Sequence, residues 1–306
     1  MDSREGLSRR AVLAGAAAGA VTVGLPAAAA AGSAPQRSAG GEGRVDEEFT
    51  ELERTYRRRL GVVAINVRTG ATLEHRPDER FPICSVFKVL LAARILRDFP
   101  SSVRDRRLTW TADDLVINSP VTEVTIRNGL TVSQLVEAAV TVSDNTATNL
   151  LMREFGGPAG VTGFARSVGD PVTRIDRWEP EMSTGAPGDE RDTTSPRAIA
   201  RTFGTLVLGS ALPRADRRLL TTWMLANRTA GPVFGSGVPA GWKLADKTGS
   251  GWYGVRNDVG ITWTPDGVPL VVAAFTRGTH YEDDTLSEPI AAVAESACRR
   301  LTGGDV

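Results

Sequence analysis

The spacing of apolar and polar residues predicts strands at both ends of the chain and helices between them. Residues 45–60 have the charge pattern of a surface helix, and the apolar run 61–67 predicts a strand. The sequence Arg68-Thr69-Gly70-Ala71 is a turn that would join this strand to a partner at 72–75. The amino-terminal part of the folded chain is therefore predicted to be a helix followed by a β-hairpin.

From Ser85 to about Leu212 the pattern is helical almost throughout. Thr131-Val132-Ser133-Gln134 is a capping box that predicts the start of a helix over 135–142. Strand patterns then return at three places, residues 242–248, 255–263 and 269–275. A last helix is predicted over about 286–301.

These elements predict an α+β fold. The first and last strands would pair in one antiparallel β-sheet flanked by the terminal helices, with an inserted all-α lobe between them. We place the sheet-containing lobe at about 44–82 and 213–306, and the helical lobe at about 83–212. The cleft between two such lobes is the expected place for an active site, and Ser85 opens the first helix at this boundary.

Composition excludes several classes of function. The 306 residues contain 36 basic and 36 acidic side chains without a basic stripe, so no nucleic-acid partner is expected. The two histidines, His75 and His280, have no second ligand at helical or turn spacing, so we expect no metal and no cofactor. Cys84 and Cys298 would allow one long-range disulfide, but free buried thiols are more usual in a domain of this size.

The first 31 residues have the pattern of an export signal. Arg9 and Arg10 precede a weakly apolar run of small residues that ends near Ala31, as in a twin-arginine signal peptide. The alternative is a membrane anchor, but glycines and Pro26 interrupt the run and no cysteine follows it to carry a lipid. We expect cleavage near Ala31, a flexible tail over 32–43, and an exported protein, secreted or periplasmic, without a stable membrane anchor.

Ser85 and Lys88 lie three residues apart in the apolar segment 82–91. An i, i+3 pair shares one helix face, so the Lys88 amine would stand beside the Ser85 hydroxyl. A lysine on a helix that is apolar all round is desolvated unless a neighbouring group compensates its charge. The segment alone leaves two interpretations open: a lysine that snorkels to solvent, or a base that activates a serine nucleophile.

Three further motifs are weak when each is taken alone. Ser143-Asp144-Asn145 lies between two predicted helices, where such residues commonly form turns and caps. Lys247-Thr248-Gly249-Ser250 follows a strand pattern, and Glu179 lies in the charged loop 177–181, where a solvated carboxylate is the default.

Together and in this order, the motifs resemble those of class A β-lactamases, which use a serine nucleophile. The resemblance covers the chain from about Val45 to its carboxyl terminus without large insertions. Residues 177–181 and 189–194 are similar to the two ends of the family's Ω loop. The resemblance implies hydrolysis of the β-lactam amide of penicillins and cephalosporins through an acyl-serine intermediate.

The resemblance also implies catalytic roles. Ser85 would be the nucleophile, with Lys88, Glu179 through a water, or both as its base. Ser143 would pass a proton to the departing lactam nitrogen, and the backbone N–H groups of Ser85 and Ser250 would form the oxyanion hole. Glu179 would then be the general base that directs water at the ester, a group that penicillin-binding proteins of this type lack.

Further positions are carried over for binding and support. Those implied to bind substrate are Asn145, Lys247, Thr248, Gly249, Ser250 and Arg256. Asn145 would also hold Lys88, and Arg256 would bind the substrate carboxylate as a charge-assisted donor. An ion pair between Arg177 and Asp192 would anchor the Ω loop, in which the Glu179–Pro180 peptide bond is often cis in the family.

Three positions depart from the family pattern. Ser183 replaces an asparagine that helps to fix the hydrolytic water, so we expect slower deacylation. Asn118 replaces an aromatic residue that walls the cleft, which would widen its mouth. Gly251 stands where members with broad carbapenem activity have a cysteine that pairs with the one preceding the nucleophile, here Cys84, so carbapenem hydrolysis is not inferred.

Two alternatives to a hydrolase remain at this stage. A β-lactam-binding trap or sensor would be acylated and turn over poorly, which the substitutions at Ser183 and Asn118 would allow. A peptidoglycan DD-peptidase shares several of the motifs but is disfavoured by Glu179. The expected partner is a small-molecule β-lactam, and the expected oligomeric state is a monomer.

Overall fold

The computed structural model describes residues 39–303. The predicted signal peptide, residues 1–31, and most of the predicted tail lie outside the described residues. Residues 39–43 were predicted to belong to the flexible tail and are helical instead, because the first helix begins at Ala39. An established helix extends with one hydrogen bond for each added residue and no new nucleation cost. In the described part of the chain no helix is both long and apolar enough to cross a membrane.

The strands of the described residues are β1 (Arg59–Asn66), β2 (Thr72–His75), β3 (Phe81–Pro82), β4 (Arg107–Leu108), β5 (Leu130–Thr131), β6 (Thr193–Thr194), β7 (Lys243–Gly251), β8 (Val255–Trp263) and β9 (Pro269–Arg277). Five of them form one sheet in the order β2-β1-β9-β8-β7, and all neighbours in it are antiparallel. Short two-stranded ladders join β3 to β6 and β4 to β5.

The helices are α1 (Ala39–Tyr56), α2 (Lys88–Asp98), α3 (Thr122–Thr125), α4 (Val132–Thr141), α5 (Asn145–Glu154), α6 (Gly157–Ser167), α7 (Pro196–Val207), α8 (Arg214–Leu225), α9 (Phe234–Gly237) and α10 (Glu288–Thr302). Single 3₁₀ turns cover Cys84–Phe87, Ser101–Asp105, Ala112–Asp114 and Glu181–Ser183. The predicted capping box is present, since Thr131 Oγ1 accepts from Gln134 N and Gln134 Oε1 accepts from Thr131 N.

The predicted α+β fold is confirmed, because the terminal helices pack on one face of the antiparallel sheet. Successive side chains of a strand point to opposite faces. In β1, Val62 contributes to a core shared with Phe49 of α1 and Ile290 of α10. Val63, its neighbour, contributes to a second core, on the helical side of the sheet. Because both faces are covered, the strands read as nearly continuous apolar runs.

The second core continues from the sheet into the helical part of the chain. Phe203 of α7 is buried in it together with Phe275 of β9 and Leu135 of α4. Helix α7 lies against β1, β8 and β9, although its sequence falls within the predicted helical lobe. The division into two lobes, with a boundary near 212, therefore stays a prediction.

Candidate active site

One cleft of about 460 Å³ brings most of the predicted site residues together. The predicted residues that line it are Ser85, Ser143, Asn145, Glu179, Ser183, Thr248, Ser250 and Arg256. Lys88 and Lys247 lie fully buried next to these residues. Arg177 and Asp192 are not part of its lining and act at a distance from it, as described below.

Ser85 lies in the 3₁₀ turn Cys84–Phe87, and the α-helix begins only at Lys88. We predicted that Ser85 opens the helix, but the α-helix begins one turn later. Residues i and i+3 eclipse each other in a 3₁₀ helix, so the pair still shares a face. The turn is held from the sheet, because Asn257 Nδ2 of β8 donates to Pro82 O at 2.8 Å.

Lys88 is completely buried and its amine is surrounded by oxygen atoms. Its Nζ lies 2.6 Å from Asn145 Oδ1, 2.8 Å from Ser143 O and 3.1 Å from Glu179 Oε1. Burial lowers the pKa of Lys88, and the negative charge of Glu179 opposes this shift. No hydrogen bond joins Lys88 to Ser85 within the described chain; the Ser85 hydroxyl instead donates to Glu179 Oε1 at 3.4 Å.

Ser143 stands between two amines. Its Oγ accepts from Lys88 Nζ and from Lys247 Nζ, each at 3.2 Å. With both lone-pair positions occupied, the hydroxyl proton of Ser143 is free to point into the cleft. Burial and the nearby charge of Lys88 lower the pKa of Lys247 to about 7. The turn itself is fixed by Asp144, which caps α5 through Ala147 N.

Glu179 is held by its backbone as well as by its carboxylate. Asn149 of α5 accepts from Glu179 N at 3.0 Å and donates to Glu179 O at 2.8 Å. The Glu179–Pro180 peptide bond is cis. Ser183 Oγ donates to Glu179 Oε2 at 3.3 Å, opposite the oxygen that faces Lys88 and Ser85. Glu179 thus has one oxygen toward Ser85 and one toward Ser183.

The Ω segment, residues 177–194, is closed by an ion pair. Arg177 Nε lies 2.5 Å from Asp192 Oδ2, and Asp192 is fully buried. The other carboxylate oxygen of Asp192 accepts from the backbone N–H groups of Asp176 and Arg177. These contacts join the two ends of the segment that carries Glu179 and Ser183.

Strand β7 passes close to the 3₁₀ turn of Ser85 because it contains glycines. A Cβ on Gly249 would lie 3.1 Å from the Cβ of Cys84, and one on Gly251 would lie 2.3 Å from Ser183 O. The same Cβ on Gly251 would lie 3.0 Å from Cys84 Sγ. Position 251 therefore fits the place where the resemblance implies a cysteine that pairs with Cys84. Cys84 and Cys298 are both buried and free, and burial raises the pKa of the Cys84 thiol.

Asn118 lines the cleft at the position where the family pattern has an aromatic residue, and the aromatic side chain of the lining is that of Trp252. Asn118 adopts a left-handed backbone conformation, with φ 60°, and its Nδ2 donates to Ser143 O at 3.1 Å. Ile117 beside it is 64% exposed. On the opposite wall, Arg256 donates to Ser250 Oγ, while its buried Nε has no partner in the described chain.

Three asparagines that hydrogen-bond to residues in or next to the site escaped the sequence analysis. Asn149 lies one helical turn after Asn145, so its position on the same face of α5 was a signal that could have been used. Asn257 and Asn227 act across long sequence separations, on Pro82 and on Asp246. No local pattern marks such contacts.

The fold and the cleft define a serine hydrolase of the class A β-lactamase type, with a serine, two buried lysines and a glutamate in one site. The β-lactamase enzyme family matches residues 44–301. A β-lactamase of Streptomyces fradiae is 49% identical over 296 residues, which cover 95% of this chain and 94% of the relative.

Solved structures agree. A β-lactamase from Streptomyces albus G has a TM-score of 0.82 and 46% identity, over 84% of this chain and 98% of that one. The class A β-lactamase of the last common ancestor of Gram-negative bacteria has a TM-score of 0.79 and 47% identity, over 82% of this chain and 97% of that one. The chain belongs to the β-lactamase family.

Proposed function

We propose that this protein hydrolyses the β-lactam amide of penicillins and cephalosporins through an acyl-Ser85 intermediate. One observation carries the proposal: the Ser85 hydroxyl donates to Glu179 Oε1, and the Lys88 amine lies 3.1 Å from the same oxygen. A nucleophile, a proton acceptor and a compensating cation thus meet at the floor of one cleft.

In acylation, Ser85 Oγ attacks the lactam carbonyl carbon and its proton leaves toward Glu179, directly or through one water. Lys88 compensates the charge of Glu179 and of the developing oxyanion. The hydrogen bond of 3.4 Å is long, as is common before substrate binds. The backbone N–H groups of Ser85 and Ser250 are proposed to hold the carbonyl oxygen.

The departing nitrogen takes its proton from Ser143. Because Lys88 and Lys247 both donate to Ser143 Oγ, its own proton is available to the cleft. The lactam C–N bond then breaks with a neutral amine as the leaving group. Ser143 recovers a proton from Lys88, and Lys88 takes the proton that Glu179 received from Ser85, so Glu179 is ionised again before deacylation.

Substrate recognition is assigned to the opposite wall of the cleft. Arg256 and Ser250 present donors to the substrate carboxylate, and Thr248 lies beside them on the same wall. Gly249 provides close passage of β7, and Asn145 holds Lys88 while its side chain remains part of the cleft lining.

Deacylation separates a hydrolase from a trap. Glu179 is positioned by Asn149 and by the Ω segment next to Ser85, where it can take a proton from a water that attacks the ester. The fixed Glu179 and the family membership support turnover, and no observation favours the trap, sensor or DD-peptidase alternatives.

Benzylpenicillin tests the proposal directly. The purified protein should consume many equivalents of lactam, followed by absorbance, and intact mass should show at most a transient adduct. Ser85→Ala should abolish both hydrolysis and adduct, because the nucleophile is gone. A stoichiometric adduct that persists without turnover in the unmodified protein would contradict hydrolysis and favour the trap.

Ser183→Asn should accelerate deacylation. A serine offers one rotatable hydroxyl to Glu179 and water, whereas an amide offers two donors and an acceptor. We expect the deacylation rate to rise about three- to tenfold, which is the equivalent of one added hydrogen bond. Single-turnover mass spectrometry measures this rate, and Ser183→Ala is the matched control, which should slow it. No gain in Ser183→Asn would show that Ser183 does not limit release.

The lowered pKa of Lys247 predicts that kcat/KM depends on pH. Its lowered pKa of about 7 means that its charge is present below this pH and is lost as pH rises through it. Attraction of the substrate carboxylate should fall in the same direction, so kcat/KM for benzylpenicillin should decrease by about tenfold above pH 7. In Lys247→Arg the charge persists, so the decrease should move to higher pH. Identical profiles for the two proteins would contradict this role.

Export and oligomeric state complete the proposal. The pattern of residues 1–31 supports export with cleavage near Ala31, to the periplasm or the medium. The mature protein is proposed to act as a monomer on small-molecule β-lactams. Amino-terminal sequencing of the exported product and light scattering test these two points.

A further inference from the structure

A continuous chain of hydrogen-bonding side chains runs from the cleft wall to the interior behind β7. Thr248 and Thr229 line the cleft at one end. Asn227 lies next in the chain, and Asp246 and Asp258 form its buried end, with 1% and 0% exposure. The roles assigned to the cleft above do not use Asn227, Thr229, Asp246 or Asp258.

The sheet register explains how two carboxyl groups come to lie together. Thr248 of β7 is paired with Asp258 of β8, and Asp246 is paired with Gly260. Residues two apart on a strand point to the same face, so Asp246 and Asp258 are diagonal neighbours. A Cβ on Gly260 would lie 2.7 Å from the Cβ of Asp246, so the glycine provides the room for this carboxyl group.

The orientation of the Asn227 amide is fixed from both sides. Its Oδ1 accepts from Thr229 N at 3.0 Å, and because Thr229 N is a donor, the amide atom facing it must be the oxygen. Its Nδ2 donates to Asp246 Oδ2 at 2.9 Å. Exchanging the amide oxygen and nitrogen would set donor against donor at Thr229 N.

This orientation dictates the direction of the next two bonds. Thr229 Oγ1 donates its single proton to Asn227 Oδ1 at 2.7 Å. Thr229 Oγ1 also lies at hydrogen-bond distance from Thr248 Oγ1, and with its own proton committed it must accept there. Thr248 therefore donates to Thr229, which leaves the lone pairs of Thr248 facing the cleft.

The two carboxyl groups need one proton between them. The two groups lie next to each other across β7 and β8, and the buried Asp258 Oδ1 has no hydrogen-bond partner among the described residues, a place that a proton shared with Asp246 would fill. Asp258 Oδ2 accepts from Phe234 N. Burial and the neighbouring Asp246 raise the pKa of Asp258 well above its usual range, so Asp258 is the neutral acid that donates to Asp246.

We propose that Asp246 is the terminal acceptor of a one-directional chain, in which Thr248 donates to Thr229, Thr229 to Asn227 and Asn227 to Asp246. Asp246, Asn227 and Thr229 are then positioning residues that hold Thr248 as an acceptor toward the cleft. A substrate carboxylate is itself an acceptor, so Thr248 can donate to it only when its proton turns toward the cleft. Thr229 must then donate to Thr248 and gives up its hydrogen bond to Asn227. The chain thus lowers affinity for the carboxylate, an inference that rests on the proposed function.

Thr229→Val tests this inference in solution. Valine cannot accept the Thr248 proton, so Thr248 becomes free to donate to the carboxylate. The KM for benzylpenicillin should fall about two- to tenfold while kcat changes little. Thr229→Ser keeps the hydroxyl and should restore the KM of the unmodified protein. A KM that is unchanged or higher in a folded Thr229→Val protein would overturn the inference, whereas hydrolysis itself would remain.

Neutron diffraction of the unmodified protein tests the same chain without a variant or a substrate. We expect deuterium on Thr248 Oγ1 pointing to Thr229, and deuterium between Asp258 and Asp246. A Thr248 deuterium directed into the cleft, or no deuterium between the two carboxyl groups, would contradict the inference. This result stands whether or not the protein hydrolyses benzylpenicillin, so a failure of the chain and a failure of the proposed function are distinguishable.

Discussion

The complete burial of the Lys88 amine is the constraint on which the site depends. An ammonium taken out of water is strongly destabilised unless oxygens surround it. Here they come from two parts of the chain: Ser143 O and Asn145 Oδ1 from one turn, and Glu179 Oε1 from the Ω segment. Because Ser85 lies in the 3₁₀ turn that leads into α2, the same contacts that compensate the lysine place a carboxylate beside the Ser85 hydroxyl.

Each of these oxygens needs its own support. Asp144 caps α5 and accepts from Val121 N and Thr122 N. These hydrogen bonds fix the position of the turn that carries Ser143. Glu179 is fixed at its backbone by Asn149, while the Arg177–Asp192 ion pair, on a fully buried carboxylate, closes the segment around it. The Ω segment has little regular secondary structure, so these polar contacts position it together with the buried Met182 and the pairing of β6 with β3.

The strands and the sheet could be predicted from the sequence because short-range patterns of apolar residues encode them. Strands β2 and β8 match their predicted ranges, and the antiparallel sheet of first and last strands follows from apolar periodicity. The 3₁₀ turn at Ser85 was missed because periods of 3.0 and 3.6 residues cannot be separated over four positions. Contacts such as Asn257 to Pro82 were missed because they join residues far apart in the chain. The motifs of the site were found from a family resemblance, since each alone was ambiguous.

The central claim is that Glu179, held against Lys88 and Ser85, releases the acyl group. The most direct measurement follows intact mass and lactam absorbance after mixing the Glu179→Gln protein with benzylpenicillin. The amide keeps the size of the side chain but cannot take a proton from water. We predict that a penicilloyl adduct on Ser85 accumulates to stoichiometry and turnover falls by at least about a hundredfold. Turnover at the rate of the unmodified protein, without an adduct, would contradict the account.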